Sequence, residues 1–118
     1  MSDSYRSRAA LDVLTIMQAL ADGTRLAAVA ALAQSSPRTS GNLAEQLGLR
    51  PSTLSHHLRI LREAGLVVVT PDGSRRWIQL RKDDIDARYP NFLESVIDGI
   101  RTDLRGGESA DSDRSGPR

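Results

Sequence analysis

The 118-residue sequence predicts a mainly α fold carrying one β-hairpin, in the α+β class. Three observations carry this. Apolar residues recur at helical spacing along most of the chain. The β-branched run "LVVVT" is followed by the turn signal "PDGS" and the alternating stretch "RRWIQLR". Just before this hairpin stand a short helix, a glycine-containing turn and a second helix, which is the helix-turn-helix pattern. A helix-turn-helix with a hairpin behind it is a winged helix-turn-helix, and the length suits one such domain.

The first helix is predicted over residues 8–21. Ala9, Val13, Ile16, Met17 and Leu20 share one face, and Ala10, Leu14 and Ala21 widen it. That stripe is wide enough to cover a core and a partner subunit together. Asp22 is an N-cap for an alanine-rich helix over 23–34. "SSPR" breaks it. Ser40 then caps a short helix over 41–47, closed by Gly48 in the left-handed position. Pro51 opens the next helix, 51–64, and Gly65 stops it.

The hairpin strands follow, with Ile78 and Leu80 on one side of the return strand and Trp77 and Gln79 on the other. "KDDIDARYP" reads as a short connection anchored by Ile85. Pro90 suits the first turn of a last helix over 90–104, where Phe92, Leu93, Val96, Ile97, Ile100 and Leu104 form a stripe. The segment 105–118 is rich in glycine, serine and charge and reads as disordered. Residues 1–7 read as a flexible N-terminus, which leaves 8–104 as the domain.

Composition narrows the function. The chain has no cysteine, which excludes disulfides, thiolate metal sites and a cysteine nucleophile. "MSDSYRSR" lacks the apolar region of a secretory signal, and no apolar run approaches bilayer length. The expectation is a cytoplasmic protein with no membrane partner. The net charge is only +1. Its distribution matters more, because arginines cluster from Arg50 to Arg81 and acids concentrate after Asp83.

The helix over 51–64 holds both histidines, His56 and His57. Adjacent residues on a helix point about 100° apart, so the two do not chelate one metal ion, which needs i,i+3 or i,i+4 spacing. Leu54, Leu58 and Leu61 define the inward side, and His57 flanks them. Ser52, Ser55, His56, Arg59, Arg62 and Glu63 share the polar side. No serine–histidine–acid set and no phosphate-binding glycine loop is recognisable, so no catalytic residue, metal ligand or cofactor is assigned.

That polar side is what a DNA-reading helix requires. Ser52, Thr53 and Ser55 are small enough for the helix N-terminus to approach a backbone closely, where the helix dipole favours phosphate. His56 can meet a base edge, and Arg59 can take a phosphate or bind guanine bidentately. Arg75 and Arg76 stand at the hairpin tip, placed to grip an adjacent minor groove or backbone. A protein-interaction winged helix without DNA binding is the alternative. Such a module more often exposes aromatics or leucines on this face.

The residues also resemble a known family. "ALADGTRLAAVAAL" is similar to the "LADPTRLRIL" signature of the ArsR/SmtB winged-helix repressors. "NLAEQLGLRPSTLSHHLRILREAGLV" resembles their helix-turn-helix, where "STVSHHLKVLREAGLV" is typical, and "DGSRRWIQL" resembles their wing. The resemblance runs continuously over about residues 11–80. It implies four helices, the wing and a fifth helix, in a homodimer built from the first and last helices. Leu11, Leu14, Met17, Phe92, Leu93, Val96, Ile97 and Ile100 are the interface candidates. It also implies repression by occupying double-stranded operator DNA, relieved by an unidentified effector such as a small molecule.

By position, Arg50, Pro51, Ser52, Thr53, Ser55, His56 and Arg59 fall in the family's DNA-proximal segment, and Arg75 and Arg76 in its wing. Arg50 stands where a serine or threonine cap is usual. Many members sense metals through cysteines in the helix here at 41–47, and this chain has none. Others use an aspartate–histidine pair with a later histidine and acid. Those positions here are Lys82, Asp84, Ser95 and Asp98, and lysine and serine cannot recreate that site. An oxygen-ligand site among Asp83, Asp84, Asp86 and Glu94 stays open at this level.

Overall fold

The computed structural model describes residues 7–114, of which 104–114 are described by backbone only. A 3₁₀ turn, Arg8–Ala10, is followed by α1 (Val13–Leu20), α2 (Gly23–Gln34), β1 (Arg38–Thr39), α3 (Ser40–Leu47), α4 (Pro51–Glu63), β2 (Val67–Asp72), β3 (Arg75–Leu80), α5 (Lys82–Arg88) and α6 (Phe92–Arg114). The three strands form one antiparallel sheet in the order β1-β3-β2.

The first predicted helix is divided in two. Asp12 is extended, and its carboxylate accepts from Leu14 N at 3.3 Å and from the Thr15 hydroxyl at 2.8 Å. That is an N-cap, so α1 begins after Asp12. The cap of α2 is Asp22, as its sequence implies, accepting from Arg25 N at 3.0 Å. The cap of α3 is Thr39, not Ser40, because the Thr39 hydroxyl reaches Asn42 N at 3.1 Å. Thr39 also belongs to β1, whose pairing of Arg38 with Ile78 and Thr39 with Trp77 adds a third strand. Gly48 closes α3 at φ 67°, a conformation open to glycine at little cost.

α4 starts at Pro51 after an Arg50 that makes no side-chain cap bond. Its buried residues are Leu54, Leu58 and Leu61, the spacing that turns one stripe inward. They pack in one core with Ile16, Leu32, Leu43, Ile78, Ile85 and Leu93. β2 and β3 meet at Gly73 and Ser74, with Asp72 opposite Arg75. Ile78 and Leu80 are buried and Gln79 is exposed, the period of two that sets the wing against α4.

Three further differences lie beyond the wing. The connection after β3 is a helix, α5, stapled by a Lys82–Asp86 pair at 2.6 Å and anchored by buried Ile85. α6 begins at Phe92 rather than Pro90, because Asn91 sits at φ 68°, a region asparagine tolerates better than most residues. Its backbone runs on to Arg114, past the predicted end at Leu104. No proline intervenes before Pro117, and glycine weakens a helix without the steric block of proline. The flexible segment read over 1–7 lies outside the described residues except for Ser7, as do residues 115–118 of the tail. Among the described residues no single helix is long and apolar enough to cross a membrane.

Candidate nucleic-acid interface

Because α4 buries Leu54, Leu58 and Leu61, the opposite side must face out. Ser52, Ser55, His56 and Arg59 are all exposed there. They meet the wing across a groove of about 390 Å³, with Leu58 and Val69 in its floor and Arg62 and Arg76 on its wall. The groove places two helix arginines and a wing arginine beside two serines and a histidine. An open, cationic, hydroxyl-bearing concavity at a helix start suits a phosphate-bearing ligand.

The other predicted residues take different places. Arg50, Pro51 and Thr53 are exposed at the start of α4 and do not line the groove. The wing arginines separate by strand parity. Arg76 shares the side of Ile78 and reaches the groove, whereas Arg75 is exposed at the turn, outside it. Arg62, three residues beyond Arg59, falls on the polar side by sequence but is not among the DNA contacts named from it. Its Nε is buried with no hydrogen-bond partner among the described residues. The spacing was its signal.

His56 and His57 diverge as the helix geometry requires, with ring centroids 5.4 Å apart and planes at 65°. His57 turns inward, where its Nδ1 lies 3.4 Å from Arg25 Nη1 and 4.0 Å from Asp22 Oδ1. Guanidinium has only donors, so His57 Nδ1 accepts. Arg25 also donates from Nε to Ala19 O at 2.6 Å. This ties the end of α1 to the flank of α4. The Arg25 backbone N–H bond, with the nearby charge of Arg25, holds Asp22 below the ordinary carboxylate value against a smaller opposing effect of burial.

Two of the metal positions implied by resemblance, Lys82 and Asp84, are otherwise engaged. The Lys82 ammonium bonds Asp86, which raises the lysine pKa. Asp84 accepts from Arg8 and Arg81. Burial alone raises the Asp84 pKa, but those two guanidiniums outweigh it and hold the carboxyl low. Among the described residues no group of three or more histidine, cysteine, aspartate or glutamate side chains is placed to hold a metal ion.

Of the interface candidates, Leu14 and Met17 are 59% and 50% exposed. Phe92, Val96 and Ile100 are half-buried. Leu11, Leu93 and Ile97 are instead buried in the chain's own core. Leu11 precedes the Asp12 cap and falls off the helical stripe, while Leu93 and Ile97 take the inward side of α6.

A helix-turn-helix whose second helix exposes a polar face beside an arginine-bearing hairpin defines a winged helix-turn-helix transcriptional regulator. Residues 22–69 match the family model described as bacterial regulatory protein, arsR family. The HTH-type transcriptional regulator NmtR of Mycobacterium tuberculosis is 44% identical over 77% of this chain and 72% of its own length. The chain belongs to the ArsR family, and it is a regulator, not an enzyme. The HTH-type transcriptional regulator YceK of Bacillus subtilis is 35% identical over 69% of this chain and 82% of its own. A solved structure from Mycobacterium bovis, Mb0332, described as a homodimeric winged helix-turn-helix DNA-binding domain, superposes with a TM-score of 0.62. It shares 31% identity and covers 73% of this chain and 78% of that one.

Proposed function

We propose that the chain is a homodimeric cytoplasmic repressor that occupies an imperfect inverted repeat in double-stranded DNA. The observation that carries this is the joining of Ser52, Ser55, His56, Arg59 and Arg76 in one open groove. α4 enters the major groove by its N-terminal half, and the wing lies on the flanking backbone or minor groove. Arg50, Pro51 and Thr53 border that contact, and Arg75 takes phosphate from the wing tip. Leu14 and Met17, exposed on α1, supply the dimer contact with Phe92, Val96 and Ile100 of α6. The homodimeric description of the M. bovis relative supports this.

A two-fold dimer predicts half-sites roughly 10 bp apart, centre to centre. An effector, a small molecule in this reading, relieves the repression. Gel shifts with the promoter region of the protein's own gene test the proposal. The expected result is a specific complex that weakens steeply with salt, by roughly 0.9 log unit per log unit of salt for each phosphate neutralised. Equal affinity for promoter and scrambled DNA overturns it.

A further inference from the structure

A large cleft lies away from the DNA-facing groove. It has a volume of about 880 Å³, within the range of small-molecule sites. It opens between the C-terminal end of α2, the roots of β2 and β3, the start of α5 and the 3₁₀ turn that carries Arg8. Its floor is apolar, from Leu32, Ala33, Val68 and Leu80. Its charged wall sets Arg8, Arg81 and Lys82 against Asp83 and Asp84. Lys82 is already paired with Asp86 at 2.6 Å, so the guanidinium that this wall offers to solvent is that of Arg8, 56% exposed.

The chemistry of the wall is already visible. Asp84 Oδ1 accepts from Arg8 Nε at 3.1 Å and Nη2 at 2.9 Å. Its Oδ2 accepts from Arg81 Nε at 3.0 Å. The Arg81 side chain is only 3% exposed, whereas that of Arg8 is 56% exposed. Arg81 therefore lies in the interior, and Arg8 is the partner of Asp84 that solvent reaches. The planar guanidinium fork of Arg8 matches a carboxylate from solution as well as it matches Asp84. Asp83 and Asp84 repel a multiply charged anion from the same wall.

We propose that this cleft binds a small organic monocarboxylic acid, its carboxylate held by Arg8 and its apolar body laid on Leu32, Ala33 and Leu80. Binding draws Arg8 from Asp84. Arg8 leads through its turn into α1, and Val68, Gln79 and Leu80 are the root of the wing. An occupant thus touches both the segment preceding the dimer helix and the base of the DNA-gripping hairpin. This consequence at DNA rests on the repressor reading above; the binding itself does not.

The test uses the full chain with benzoate, phenylacetate and hexanoate as probes, and methyl benzoate and inorganic phosphate as controls, followed by calorimetry. The expected result is saturable binding of at least one carboxylate and of neither control. Arg8→Gln, an exposed change that leaves the melting curve in place, weakens it by about tenfold or more. Ser35→Trp, which narrows the cleft from an exposed position, weakens it as well. No carboxylate binding at millimolar concentration overturns the proposal. So does binding that both variants leave intact, or phosphate binding as tight as that of the carboxylates. A chain that takes a carboxylate but binds no operator overturns the repressor reading and leaves the cleft standing. A chain that binds operator but no carboxylate overturns the cleft alone.

Discussion

α4 and α1 both turn side chains away from the core, and their exposed faces have opposite chemistry. The outward side of α4 is Ser52, Ser55, His56 and Arg59. The outward side of α1 carries Leu14 and Met17. The polar face is well solvated when bare, so it gains from a partner only where hydrogen bonds and charge match those it gives up in water. The apolar face gains from any cover, at about 25 cal/mol per Å² removed from water. One surface suits a selective, salt-sensitive contact, and the other a lasting contact with a second copy.

The largest expected effect separates the polar face from the fold beneath it. Ser55→Ala/His56→Ala/Arg59→Ala should reduce specific DNA affinity by about 100-fold or more, since each good base contact is worth about 1–3 kcal/mol. Its unfolding free energy should stay within about 0.5 kcal/mol of the parent, because all three side chains are exposed. Leu58→Ala, from the buried side of the same helix, should instead cost about 2–5 kcal/mol of stability. Gel shifts and urea titrations measure both. Specific binding that survives the triple change unaltered would sink the recognition assignment.

Leu14→Glu/Met17→Glu breaks the comparison from the other side. Two carboxylates on that face make covering it unfavourable. Sedimentation at micromolar concentration should give a monomer whose circular dichroism is unchanged. Operator affinity should fall by about 100-fold, as the two half-sites are no longer joined. A dimer that persists would move the interface elsewhere.

These two faces were unequally legible in the sequence. The inward leucines of α4 announce its polar side by a simple period, and Pro51 and Gly65 bound the helix. Helical period also made Leu14 and Met17 visible. It could not tell an interface residue from a core residue on the same stripe, so Leu93 and Ile97 were placed with them although both are buried within the chain. That distinction depends on how α6 meets the core, which is a long-range fact. The division of the first helix turned on one local competition, in which Asp12 caps a helix instead of lying within it. β1 escaped notice because two residues carry no period and pair only with a strand far along the chain.

The wing arginines sharpen the polar side. Arg76 lines the groove with α4 and Arg75 does not. Arg76→Ala should weaken operator binding by about tenfold, and Arg75→Ala by about threefold or less. A change that frees one phosphate should lower the salt slope by about one. Equal losses for the two changes would mean that strand parity does not set the wing's grip.

The smallest effect concerns the link between the two faces. Arg25 bonds Ala19 O at the end of α1 and His57 on α4, and Asp22 stands beside both. Asp22→Asn keeps a side-chain oxygen to cap α2 and removes only the charge. At neutral pH the charge near a helix N-terminus should contribute about 0.5 kcal/mol, the low part of its range because Asp22 is 35% exposed. Asp22 has a folded pKa below its unfolded value. Its charge therefore adds stability at pH values above the unfolded pKa, near 3.8. That increment is lost as pH falls through the folded pKa, since both states are then protonated. Urea midpoints of parent and Asp22→Asn should differ at pH 7 and converge below about pH 4. A gap that widened with acid would mean that Asp22 is held by its neighbours in the protonated form, and that Arg25 joins α1 to α4 without the carboxylate's help.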